Sequence, residues 1–314
     1  MSLLSSLPLG RSSVAVLCYH NVGGNGVPEQ AFSAQMAWLA RRGARTLRLD
    51  ELRMVADGAR LADVTDGKPA VMLTFDDGFR DLYTRVAPVL RAHGLCATTF
   101  VVSNRMRPED EPGEEGEIVA DKAHEAWLLR GERRAWLSWA ELRALVDEGV
   151  LEVGSHSASH VKLPVSAPAP GPAPDHWAYA PWRGQDGAPR LAPDTAGPLW
   201  LESHGRLESP QKFKARLEEN LRASRSELEA RLGRPARALA WPWGESSEEG
   251  RQAARSAGFD LLFTLERGPF APGADASRIP RLEVRRRKGP AWFHSRLHIY
   301  TRAGLARLYS ATRL

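Results

Sequence analysis

Two neighbouring carboxylates close the run Thr74-Phe75-Asp76-Asp77-Gly78, directly after the apolar stretch Ala70–Phe75. Adjacent carboxylates repel, and the pair is costly unless something positive binds there. A strand turns consecutive side chains to different sides, so Asp76 and Asp77 can divide the work, one holding a cation and the other facing a reactive water. An Asp-Gly turn capping a helix uses the same residue types, and on these five residues alone the two readings are balanced. A second cluster tips them. Gly154-Ser155-His156-Ser157-Ala158-Ser159-His160 follows another strand-like run, 151–153. His156 and His160 stand four apart, which in a helical turn sets both imidazoles on one face, close enough to share one ion. The serines around them can orient the rings by hydrogen bonding. A single histidine would be read as structural; two at ligand spacing, beside a carboxylate pair at another strand end, favour a metal site.

The sequence around these clusters alternates short apolar runs with amphipathic stretches, the pattern of an α/β fold with a largely parallel sheet. Seven strands are expected, at 14–19, 70–75, 96–102, 151–153, 238–241, 261–264 and 279–284. A helix is expected at about 28–42, with Phe32, Met36 and Leu39 on one face and Gly43 as its stop. Another at 80–93 aligns Leu82, Val86 and Leu90 and ends at Gly94. Ser138 with Glu141 forms a capping box for a helix through 148, and a long helix over 211–232 stops at Gly233 with Pro235 just beyond. Both chemical clusters therefore follow strand C-termini, the side on which α/β sites sit. Two segments interrupt the rhythm. Residues 104–134 open with an acidic, Gly/Pro-containing stretch; 161–209 is rich in Pro, Ala and Gly and carries Trp177, Trp182 and Trp200. Long loops in compact domains are functional or disordered. Tryptophans stack on the apolar faces of sugar rings, so the second segment is expected to wall a groove, although each ring could equally anchor the loop. The run 164–174 reads as extended surface loop.

Composition sets the class. The 314 residues are 43% hydrophobic and 26% charged, which suits a soluble globular protein with ample core. A net charge of +5 is spread among alternating acidic and basic residues, which argues against a nucleic-acid partner. Cys18 and Cys96 lie in apolar runs and read as free, buried thiols, too few for a disulfide framework or a cysteine-based zinc site. Residues 1–10 lack a basic start and a long apolar stretch and contain Pro8, a poor export signal. The sequence as it stands reads as cytoplasmic. Its basic tail, 285–314, mixes Trp292, Phe293, Leu297, Tyr300, Leu305 and Leu308 with cations. A terminal helix covering the barrel is expected there, with peripheral membrane contact as the alternative.

Thr74–Gly78 followed by His156–His160 resembles the first two motifs of the NodB-type polysaccharide deacetylases, the family-four carbohydrate esterases. Leu17-Cys18-Tyr19-His20-Asn21-Val22 resembles the entry strand of the poly-N-acetylglucosamine deacetylase branch, 137–160 its helix-strand-motif unit, and Leu239-Ala240-Trp241-Pro242-Trp243-Gly244 its third motif. Alone, the last would be read as an ordinary aromatic turn. The resemblance covers about 14–284. It implies an α/β fold, a distorted (β/α) barrel of about seven strands, as one domain over 1–314 with insertions at about 104–134 and 161–209. It further implies that Asp77, His156 and His160 bind one divalent metal ion, zinc, that Asp76 is the general base, and that the backbone N–H of Trp243 completes an oxyanion hole. The chain departs from the pattern at Ala240, where many members carry an arginine that orients the catalytic aspartate. Arg281 is the candidate replacement, against an exposed salt-bridging role. The late Leu-x-x-His motif, which supplies a general acid, is not clear: His298 follows Leu297 in the helical tail and suits surface packing, while His20 and His204 are the other candidates. The general acid stays unassigned. The implied activity is hydrolysis of the N-acetyl amide of N-acetylglucosamine-type sugars in a polysaccharide or glycoconjugate, releasing acetate. A metal-dependent hydrolase of another amide or cyclic imide, or a silent glycan-binding relative, are the alternatives.

Overall fold

Residues 7–312 are described by the computed structural model; residues 1–6, on which most of the export-signal reading rests, and 313–314 of the tail lie outside them. The chain opens with β1 (Ala15–Tyr19), α1 (Glu29–Arg41), β2 (Arg45–Thr46), α2 (Leu49–Ala56), α3 (Leu61–Thr65) and β3 (Ala70–Phe75). Then come α4 (Ala87–Ala92), β4 (Ala97–Val101), α5 (Ala120–Arg130), α6 (Trp139–Asp147) and β5 (Leu151–Ser155). The Pro/Ala/Gly-rich segment holds two small antiparallel pairs, β6 (Lys162–Pro164) with β7 (Leu191–Pro193) and β8 (Trp200–Leu201) with β9 (Arg206–Leu207). The remainder is α7 (Pro210–Leu232), β10 (Ala238–Ala240), α8 (Glu248–Ser256), β11 (Leu261–Phe263), β12 (Leu282–Glu283), α9 (Pro290–Tyr300) and α10 (Ala303–Ala311).

The main sheet runs β11-β10-β5-β4-β3-β1-β12, parallel throughout, with β2 pairing on β3. Strands covered on both faces read as unbroken apolar runs, and every residue of β1, β3 and β4 is buried. Alternation decides the two sides. Val16, Met72, Phe100, Ala240 and Phe263 pack together with Phe270 and Ile279. Leu17, Leu73 and Phe75 point the other way and pack with Phe32 and Leu39 of α1, Leu90 of α4 and Phe293 of α9. One segment joins the sheet's outer strands. Leu262 donates its N–H to Ala276 O at 2.8 Å and Thr264 to Ile279 O at 2.9 Å, and a few residues later Leu282 and Glu283 pair with β1. The sheet thereby curls into the distorted barrel expected from the sequence.

Most differences from the expected elements have a local cause. The helix expected over 80–93 is divided into a π-helical turn at Leu82–Val86 and then α4, because Pro88 has no N–H to donate to residue 84. The last expected strand pairs only at Leu282 and Glu283, with Ile279 bridging instead to Phe263. α5 arises inside the acidic insertion, where no apolar stripe announces it; His124 is its one buried residue. In the tail, α9 buries Phe293, Leu297 and Tyr300 against the core, while α10 leaves Leu305 and Leu308 exposed. Among the described residues no helix is long and apolar enough to cross a membrane.

Candidate active site

The C-terminal ends of β1, β3, β5 and β10 converge. Asp76 keeps the strand register, donating its N–H to Tyr19 O at 2.9 Å. Asp77 then turns into the left-handed region (φ 70°), followed by Gly78 (φ 75°). A Cβ at position 78 would meet Val101 Cγ1 at 2.8 Å, so glycine is required twice over, by conformation and by space. The turn is what separates two neighbouring carboxylates into different surroundings. Both are almost wholly buried.

His156 and His160 come together by a route other than the expected helical turn. The segment is a loop with left-handed Ser157 (φ 65°) and His160 (φ 46°). Serine hydroxyls capture the donors a helix would have used: Ser157 N–H bonds Ser155 Oγ at 3.1 Å and His160 N–H bonds Ser157 Oγ at 3.0 Å. Asn220 of α7 accepts from Ala158 N–H at 3.0 Å. The imidazole centroids still lie 4.7 Å apart. His160 Nε2 is 3.6 Å and His156 Nε2 4.0 Å from Asp77 Oδ1, and His156 Nε2 is 3.8 Å from Asp76 Oδ2.

These residues suit a divalent ion. Asp77 Oδ1 is a buried carboxylate oxygen without a hydrogen-bond partner, an expensive state unless a cation occupies it. His156 Nδ1 lies 2.8 Å from Ala240 O, which can only accept, so the proton sits on Nδ1 and the Nε2 lone pair faces the carboxylates. Burial lowers the pKa of both histidines, His160 well below its usual value, despite the opposing pull of the aspartates, and a neutral imidazole is the ligating form. Asp77, His156 and His160 would offer one carboxylate and two imidazoles, a set compatible with zinc.

Asp76 has a different partner. Arg281 donates Nη1 to Oδ1 at 2.6 Å and Nη2 to Oδ2 at 2.8 Å, a bidentate pair with both side chains buried. Arg281 Nε also donates to Thr264 O at 3.1 Å, which aims the fork. Burial alone would raise the Asp76 pKa; Arg281 and then His156 outweigh it, and the carboxyl titrates below its ordinary range. Asp77 falls well below its range for a parallel reason, with His124 and His160 overcoming burial. Arg281 thus sits where the sequence suggested a replacement for the missing arginine, and it is neither exposed nor on the surface.

Of the other expected residues, His20 directly follows β1, half-buried, with a ring nitrogen within 4.8 Å of ligand atoms of Asp76 and Cys18. Trp243 follows β10 in a left-handed conformation (φ 56°), its ring stacked on His160 at 4.2 Å between centroids. His298 lies on α9, hydrogen-bonded to Pro8 O and beside Arg302, and His204 is exposed against Ser203. Trp177 returns to the site and stacks on His124 at 4.7 Å, whereas Trp182 packs on Tyr179 and Trp200 lies in β8.

Three neighbours escaped the sequence reading. Cys18 Sγ donates to Asp76 Oδ2 at 3.4 Å. His124 Nε2 lies 3.6 Å from Asp77 Oδ2. Arg105, buried, reaches His124 Nδ1 and the carbonyl of His160. Cys18 had a signal in the strand-end run that contains His20; single residues such as His124 and Arg105 carry no spacing pattern.

Comparison with known proteins agrees with this architecture. The poly-β-1,6-N-acetyl-D-glucosamine N-deacetylase of Escherichia coli (strain K12) is 24% identical over 296 residues, 90% of this chain and 38% of that protein. The enzyme of the same name from Staphylococcus epidermidis is 23% identical over 82% of this chain and 68% of its own length. The chain therefore spans about two fifths of the Escherichia coli relative. Among solved structures, a de-N-acetylase from Aggregatibacter actinomycetemcomitans superposes with a TM-score of 0.68 at 19% identity, covering 90% of this chain and 98% of that one. IcaB from Ammonifex degensii does so at 0.63 and 20%, covering 93% and 99%. Both share the fold. The sequence profile of polysaccharide deacetylase matches residues 63–262, which hold Asp76, Asp77, His156, His160 and Trp243, and the chain belongs to the polysaccharide deacetylase family.

Proposed function

We propose that the chain hydrolyses the N-acetyl amide of N-acetylglucosamine-type residues in a polysaccharide or glycoconjugate, releasing acetate, with a zinc ion held by Asp77, His156 and His160. The observation that carries this reading is the division of the aspartate pair. Asp77 Oδ1 faces two imidazoles and nothing that donates to it, while Asp76 is clamped by Arg281 a few ångströms away.

When bound, a divalent ion there polarises the acetyl carbonyl and makes a coordinated water easier to deprotonate. Asp76 takes the proton of the attacking water; Arg281 keeps it ionised and fixes the direction of its oxygens. The Trp243 N–H donates to the oxygen of the acetyl carbonyl as negative charge develops there. His20, at the end of β1 beside Asp76, hands a proton to the departing sugar nitrogen, so that the amine leaves neutral. Trp243 stacks on His160 and Trp177 on His124, so the imidazoles around Asp77 are held between aromatic rings.

The names of the Escherichia coli and Staphylococcus epidermidis relatives support an N-acetylglucosamine polymer as substrate. The return of Trp177 to the site supports the 161–209 segment as one wall of the substrate groove. The test is acetate release from a panel of N-acetylated oligosaccharides, with and without a chelator. Release that grows with chain length and stops on chelation is expected. Release only from a small amide or cyclic imide, with none from any sugar, would move the assignment to that other substrate class.

A further inference from the structure

Asp77 has a second oxygen, and its surroundings differ from those of the first. Oδ1 faces His156 and His160; Oδ2 faces His124 Nε2 at 3.6 Å. By distance alone His124 looks like one more ligand, since donor atoms of Asp77, His124 and His160 lie within 4.8 Å of one another. The opposite ring nitrogen decides. A neutral imidazole carries one N–H and one lone pair. Arg105 Nη1 is set against His124 Nδ1, and a guanidinium only donates. Nδ1 must then accept, which leaves the proton on Nε2 and no lone pair there for an ion. His156 is the reverse case, with the acceptor Ala240 O behind Nδ1 and a free Nε2. What lies behind each ring assigns the two histidines opposite tasks.

We propose that His124 is a positioning residue for Asp77: it directs its Nε2–H at Oδ2, so that Oδ1 alone is offered to the ion. The inference rests on the metal site described above. Arg105 is built in as firmly as the ligands. Its guanidinium lies over Trp127 at 4.3 Å and Trp136 at 5.6 Å from the ring centroids, and Nη2 donates to the carbonyls of Ser159, at 3.3 Å, and His160. Arg105 therefore couples the ring of His124 to the backbone of a ligand, His160. Trp177 stacks on the His124 ring at 4.7 Å between centroids. All three residues come from the two insertions, 104–134 and 161–209, so the segments that interrupt the sheet's rhythm complete the ion's surroundings.

X-ray absorption on the zinc-loaded protein, with zinc affinity measured by chelator competition, tests this. Two imidazole nitrogens per zinc are expected in the unaltered chain, a count that needs no variant. His124→Ala should weaken zinc binding by roughly 10- to 100-fold, the usual loss when a partner behind a ligand is removed. His124→Gln, which can present an N–H at a similar reach, should restore most of that affinity and keep two imidazoles. Three imidazoles in the unaltered chain, falling to two in His124→Gln, would make His124 a ligand and overturn the proposal. So would an affinity in His124→Ala equal to that of the unaltered chain. A correctly folded chain that takes up no zinc would instead sink the metal site itself, and the role of His124 with it.

Discussion

Asp76 and Asp77 are joined by one peptide bond and share His156, yet only the first is clamped by Arg281 and only the second faces His124 and His160. Asp76→Asn should therefore keep the ion and lose turnover by about 10²–10⁴-fold, because it removes the base and leaves the ligands; Asp77→Asn should lose ion affinity first. Acetate release and zinc content measured on the same preparations check both, and equal loss of zinc in the two variants would refute the division. Asp81 makes a pH-dependent prediction. It is buried, accepts the Val22 N–H at 2.5 Å on one oxygen and leaves the other without a partner; burial raises its pKa to about 7. The folded state thus holds a proton that the unfolded chain releases near pH 4. Stability tied to this group is complete below pH 4 and is lost as pH rises through 7, on the order of 2–4 kcal/mol. Asp81→Asn should flatten that slope in urea unfolding between pH 5 and 8, and an unchanged slope would count against it. At this scale the sequence was legible where residue types recur at a spacing. The carboxylate pair and the two histidines stand out; Asp81 and His124 do not, because burial and a partner far along the chain give them their character.

The elements that hold these residues announce themselves unevenly. The capping box at α6 was legible down to the atoms: Ser138 Oγ accepts from Glu141 N–H at 3.1 Å, and Ser138 N–H donates to Glu141 at 2.9 Å. Ser138→Ala should cost about 1 kcal/mol by urea unfolding. β1, β3 and β4 were legible because strands covered on both sides are apolar without interruption. The His156–His160 turn was misread as helical, since the i, i+4 spacing that fits a helix also fits a loop stitched by serine hydroxyls. Its entry strand has a tight constraint. A Cβ on Gly154 would lie 2.6 Å from the Phe100 ring and 2.8 Å from Ala238 O. Gly154→Ala should therefore destabilise by about 1–3 kcal/mol, and because β5 leads straight into His156, it should weaken zinc binding as well. A stability loss with zinc affinity intact would show that the turn is held by its serines and α7 rather than by β5.

Across the whole molecule, the order of strands could not be read from periodicity; the alternating pattern and the family resemblance supplied a barrel of about seven strands, and the structure bears out the curled parallel sheet. What neither showed is how the curl is fastened. Ile279 is fully buried, bridges to Phe263 and lies just ahead of the residues that pair with β1. Ile279→Ala should cost about 2–5 kcal/mol as a truncated core residue, seen as a lowered urea midpoint; a loss below 1 kcal/mol would mean that the join tolerates slack. The same segment carries Arg281, which reaches Asp76 across 205 positions of sequence. Asp76 and the arginine that holds it are thus made far apart in time, separated by 205 positions. On a ribosome, Asp76 and both histidines emerge and can reach their strands long before Arg281 leaves the exit tunnel, and until then the buried carboxylate has no fork to hold it. A ribosome that stalls or a protease that clips before Arg281 therefore yields a fragment with the histidine loop yet no oriented base. The arrangement also marks a natural place to divide the gene, at the exposed turn Pro272–Gly273, leaving Asp76 in one piece and Arg281 in the other.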